Sequence, residues 1–160
     1  MSYVEAYRQK AAIDRAMTIA AHEAGHKLMY NVLMPWVKAE YTIHDGMPAV
    51  KREAIQDVGP EHVVKLLVIA LAGLMGELMY LGLDAKAMEI IKEWKERGDM
   101  PSDLSKAIKM HEGLLASEII DGSLDVYVGI TLEYLDANLE TYRKEIVRAH
   151  QAFQKLYSKY

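Results

Sequence analysis

Apolar and polar residues intermingle through positions 4–34 among good helix formers, with no proline and a single glycine, until Pro35 stops the run. This pattern predicts one long helix or two consecutive ones. Alternation then takes over. VKAEYTI (37–43) sets apolar or aromatic residues at every second position, Asp45-Gly46 is a turn signal, and Pro48 confines the returning strand to a short or edge role. A small hairpin is expected over 37–50. Gly59-Pro60-Glu61 opens the most apolar segment, with Pro60 near the first position of a helix running to about Gly82. Asp84 is placed to cap a third helix, AKAMEIIKEWKER, which Gly98 ends. Pro101-Ser102 opens a fourth helix, with Ser102 as N-cap and Asp121-Gly122 as its close. Ser123 is placed to cap a last helix that reaches about Lys155, with Gly129 as its weak point. The expected fold class is mainly α with one small β-hairpin.

Composition narrows the picture. At 160 residues and 51% apolar, the chain suits one packed domain over 1–160 rather than two. Nineteen Lys and Arg against 23 Asp and Glu leave a net charge of −4 and no basic cluster, so nucleic acid is not an expected partner. There is no cysteine, which removes disulfides, thiolate zinc sites and cysteine nucleophiles together and suits a reducing compartment. Lys65 and Glu77 interrupt the apolar stretch 63–83 and leave only 66–76 uncharged, short of the roughly 20 residues of a membrane span. A buried core helix and no membrane partner are expected. The first 15 residues carry charges throughout and no apolar h-region, so no secretory signal is read and a cytoplasmic location is expected.

The sharpest chemical signal is His22-Glu23-Ala24-Gly25-His26, an H-E-x-x-H pattern inside a helical stretch. Residues four apart share a helix face, so both imidazoles can reach one metal ion, and zinc (Zn2+) suits neutral imidazole with a position left for water. Glu23 is the candidate general base, which takes a proton from that water. The apolar flanks Ile19, Ala20, Ala21, Leu28 and Met29 would hold the motif against the core. The alternative is two helix histidines satisfied by nearby carboxylates. A catalytic zinc usually takes three protein ligands. His44, His62, His111, His150 and many carboxylates are candidates for the third, and spacing alone does not choose among them. A lone Glu77 in so apolar a run requires a partner if buried, and a metal-binding histidine is one candidate.

HEAGH, LAGLMGELMYLG (71–82) and PSDLSKA (101–107) occur in that order. The chain thereby resembles the peptidase domain of the FtsH-type AAA zinc metalloproteases, which carry HEAGH, a segment of the form LGGRAAEELxxG and an N-D-L-x-x-A motif. The resemblance implies a compact helical zincin-like peptidase domain. It implies His22, His26 and Asp103 as metal ligands, Glu23 as base, and Glu77 as an acid held against a zinc histidine. It also implies an exposed strand edge where an extended polypeptide substrate adds on, for which 37–43, and Tyr41, Thr42 and Ile43 within it, are nominated. Leu74 replaces the arginine of that segment, Gly76 an alanine and Leu78 the second glutamate, while Ser102 stands where asparagine is usual. No G-x-x-x-x-G-K-[ST] phosphate loop occurs, so an ATPase or unfoldase would act in trans; a homo-oligomer is the other assembly the resemblance implies. The expected function is a zinc endopeptidase acting on unfolded or flexible polypeptides. The alternative is a catalytically silent peptidase-like module that binds a partner protein. A di-iron bundle would need a second Glu-x-x-His, and Glu23 to His26 supplies the only such pair.

Overall fold

The computed structural model describes residues 2–55 and 59–159. Among these, seven α-helices surround a core that carries one two-stranded antiparallel hairpin, in the order α1 (Tyr3–Ile13), α2 (Arg15–Leu33), β1 (Ala39–His44), β2 (Met47–Arg52), α3 (Pro60–Tyr80), α4 (Ala87–Arg97), α5 (Ser102–Ala116), α6 (Leu124–Ala137) and α7 (Leu139–Tyr157). The first helical stretch is two helices. Asp14 leaves helical geometry at φ −139° and caps α2 by accepting from Met17 N–H at 3.2 Å.

The apolar helix α3 is long enough to cross a membrane by length and composition, but it runs through the protein interior with 67–69 and 71–78 buried. Its main partner is α2, and α5 and α6 pack on it as well. A Cβ on Gly25 would stand 2.3 Å from the Ala72 carbonyl oxygen, so α2 and α3 cross with their backbones almost touching. Further along, the Tyr142 hydroxyl of α7 reaches across Gly76 to donate to the Ala21 carbonyl at 2.8 Å. This ties α7, α3 and α2 together at one point. Tyr142→Phe is expected to cost about 1 kcal/mol, the usual net value of one buried hydrogen bond. Urea unfolding would read this as a lower midpoint at unchanged slope.

The hairpin turns at Asp45 and Gly46, whose φ of 49° and 77° give the two positive values of a type I′ turn. Gly98, at φ 76°, ends α4 as expected. Four boundaries differ from the expected ones. Asp84 makes no capping bond and opens a short 3-10 turn, Asp84–Lys86, ahead of α4. Pro101, not Ser102, stands at the N-cap of α5. That helix ends at Ala116, ahead of Glu118 at φ 57°. The last helix is divided at Asn138 rather than weakened at Gly129, which lies within α6. Asn138 donates through Nδ2 to the Tyr134 carbonyl at 2.8 Å, so its side chain competes for an acceptor that helix continuation would use.

Candidate metal centre

His22 and His26 lie one turn apart on α2, on the face that meets α3, and α5 brings Asp103 to them from its first turn. His22 Nε2 and His26 Nε2 stand 3.1 Å apart, and Asp103 Oδ2 lies 2.6 Å from the first and 3.1 Å from the second. Three donor atoms from two helices thus converge on one point. They form the group among the described residues that could hold a metal ion.

Each imidazole is fixed from behind. His26 Nδ1 donates to the Ile69 carbonyl of α3 at 2.8 Å, and His22 Nδ1 lies 2.5 Å from Glu77 Oε2. With both Nδ1 atoms occupied, both Nε2 atoms are turned to the shared point, the tautomer and orientation a metal-binding histidine needs. Glu77, only 8% exposed, is held on its other oxygen by the Tyr7 hydroxyl of α1 at 2.6 Å. Tyr7 is itself set edge-on against Trp94 of α4, at 5.1 Å between ring centroids. Burial first, and then the Glu77 charge, hold the Tyr7 phenol far above its usual range, so it stays a donor.

Gly73 makes room for the pair. A Cβ there would lie 2.4 Å from His26 Nε2 and 2.6 Å from His22 Nε2. A tetrahedral ion with bonds of about 2.0–2.1 Å separates its donors by about 3.3 Å, so a small outward shift of the three atoms admits one. Two imidazole nitrogens, a carboxylate oxygen and a side-chain-free slot beside them fit a divalent metal.

The charges of the cluster are strongly coupled. Burial opposes a charge on His22, but hydrogen bonds to Asp103 and Glu77 outweigh it and push the imidazole up to about 10. The same bonds, from His22 and then His26, hold the Asp103 carboxyl well below the usual carboxylate range. Glu23 is half-buried, and burial raises its carboxyl above the ordinary value despite the nearby histidines.

Glu23, His26 and Asp103 share a cleft of about 430 Å³ with Tyr30, β2 and the face of α3 around Leu66 and Ala70. Of the nominated substrate edge, none of Tyr41, Thr42 and Ile43 lines the cleft, whereas Ala49, Val50 and Arg52 of β2 do. β1 is drawn to the other side. Tyr41 donates to Glu145 Oε1 of α7 at 2.7 Å and packs edge-on against Phe153 at 5.3 Å. Glu53 N–H donates to the Lys38 carbonyl at 3.1 Å, which sets the register. In that register Val50 and Arg52 turn their peptide groups to the edge away from β1.

The remaining histidines stand apart. His111 is buried and donates through Nε2 to the Gly122 carbonyl at 2.8 Å, a structural role. His44 pairs with Asp45 at the hairpin tip, His62 packs on Trp36, and His150 lines an apolar groove beside Phe153. Sequence reasoning missed Tyr7, Gly73 and the Ile69 carbonyl. Only the glycine left a trace, as an unexplained gap in an apolar helix.

Tyr7→Phe keeps the ring against Trp94 and removes only the hydroxyl that anchors Glu77. Metal affinity is expected to fall about tenfold, the scale seen when a partner behind a ligand is lost. Calorimetric titration with a divalent cation checks this. Unchanged affinity would show that Glu77 orients His22 without Tyr7.

The chain matches no protein-family model, no curated protein and no solved structure. The site is therefore read from its own geometry.

Proposed function

We propose that this protein is a zinc-dependent endopeptidase, a zincin-like domain of the FtsH type, which hydrolyses flexible polypeptides. The observation that carries the reading is the convergence of His22 Nε2, His26 Nε2 and Asp103 Oδ2 within 3.1 Å of one another, with Glu23 in the same cleft. Once a metal ion displaces the proton that His22 holds without it, two imidazole nitrogens and one carboxylate form a three-ligand set that suits zinc and leaves a coordination position for water or substrate. A zinc ion held there supplies Lewis acidity, polarising a carbonyl and acidifying water.

The protein's own residues supply the rest. Glu23 accepts the proton of the attacking water and passes it to the leaving amide nitrogen as the C–N bond breaks and the new C–O bond forms. Its burial raises that carboxyl above the ordinary value, which makes it a stronger base. Glu77 and the Ile69 carbonyl hold the two imidazoles in register through their Nδ1 atoms. The outward peptide groups of Val50 and Arg52 offer an extended polypeptide a strand to pair with, and main-chain pairing reads little of its sequence. The edge carries no further strand among the described residues.

Metal removal tests the reading. Purified protein is expected to carry about one zinc per chain and to cleave an unstructured polypeptide. Chelation should abolish cleavage, and stoichiometric zinc should restore it. Zinc-loaded protein that cleaves nothing would favour a silent peptidase-like binding module; metal-free protein that takes up no zinc would overturn the site.

A further inference from the structure

The charged groups that line the cleft are Glu23 and Asp103 on one side of the balance and Arg52 and Lys106 on the other. A divalent ion at the triad offsets Glu23 and Asp103. That leaves the two cationic side chains with no matching acid among the described residues of the cleft walls.

Both are placed to use that charge. Arg52 ends β2, with its guanidinium beside the Tyr30 hydroxyl on the neighbouring wall and one nitrogen donating to the Glu53 carbonyl at 3.3 Å. Among the described residues these partners are neutral oxygens, and no carboxylate pairs with the guanidinium. Lys106 follows Asp103 by three residues on α5 and so rises from the same helix face, exposed at the cleft mouth. Between them the walls are apolar, formed by Val50, Leu66, Ala70 and Met110. Two cations from separate elements flanking an apolar floor are complementary to one kind of segment: an acidic side chain next to an apolar one.

We propose that Arg52 and Lys106 make the cleft selective for polypeptide segments that carry a carboxylate side chain beside an apolar residue. This rests on the peptidase reading of the same site and names its substrate class. The guanidinium offers paired donors to a carboxylate and the ammonium a mobile point charge, so Arg52 fixes the acid and Lys106 strengthens the field around it. Because Lys106 is exposed, the selectivity is moderate and falls with salt.

The experiment compares two end-blocked peptides that differ only in Glu or Gln beside a leucine, with zinc-loaded protein. At low salt the Glu peptide is expected to show a kcat/KM about fivefold higher, falling towards parity as salt is raised. In Lys106→Glu the ratio should fall towards one, because the new carboxylate offsets the charge of Arg52. Because each ratio is taken within one protein, changes in zinc content or folding cancel. A wild-type ratio of one, or a ratio unmoved in Lys106→Glu, overturns the proposal. If no peptide is cleaved, the peptidase reading fails, and the same ratio is then read as binding by fluorescence anisotropy. A tighter Glu peptide would sustain the charge selectivity, and equal binding would overturn it.

Discussion

Glu23→Gln is expected to lower hydrolysis of an unstructured polypeptide by at least about a hundredfold while zinc content stays at one per chain. The substitution preserves shape and removes only the capacity to accept a proton, and general-base catalysis is worth roughly 10²–10⁴ in rate. Zinc is retained because the ligand atoms belong to His22, His26 and Asp103, and Glu23 is not among the three donors that converge. Glu23 sits one residue after His22 and so points away from the imidazole line, yet it opens into the cleft that His26 and Asp103 share. Elemental analysis and a quenched-fluorescence cleavage assay on the same preparation check both halves. Full activity would assign the base elsewhere, and loss of zinc would make Glu23 a ligand.

The second large effect is expected at a residue with no side chain. Gly73→Ala should weaken zinc binding at least a hundredfold while the protein still folds. The added Cβ would lie 2.4 Å and 2.6 Å from the two Nε2 atoms, closer than any real contact, so the rings must move. They have nowhere to go without breaking Nδ1 bonds to Ile69 and Glu77. Helix propensity acts the other way, since alanine is favoured over glycine by about 1 kcal/mol in a helix interior, so α3 itself is not weakened. Calorimetric zinc titration beside thermal unfolding separates the two effects. Wild-type affinity in Gly73→Ala would mean that the slot is wider than described.

The parts that could be read from the sequence were those that depend on local periodicity. A four-residue spacing puts His22 and His26 on one face of any helix, whatever packs against it, and the helices of 60–80 and 87–97 are bounded by Pro60 and Gly98. Asp103 is different: its place in a first helical turn suits any acid, and only the order of three segments singled it out. Tyr7 was illegible, because its hydroxyl reaches a glutamate 70 residues along through the docking of α1 beside α4. The hairpin was legible as a hairpin, but the strand it offers to the cleft was not. Both strands carry apolar side chains, and the choice is made by Tyr41 finding Glu145 on α7, more than 100 residues away. The break at Asn138 was missed for a local reason: Gly129 was the expected weak point, whereas the Asn138 side-chain amide captures the Tyr134 carbonyl where the helix divides.

Glu77 follows Gly73 by four positions on α3, as His26 follows His22 on α2. The slot that admits the rings and the acid that orients one of them therefore form a single stripe, G-x-x-x-E, facing the H-x-x-x-H stripe across the helix crossing. Such a pair of stripes is a compact signature. A distant chain that had lost every other likeness could be screened for it directly, and a substitution in one stripe should be accompanied by change in the other.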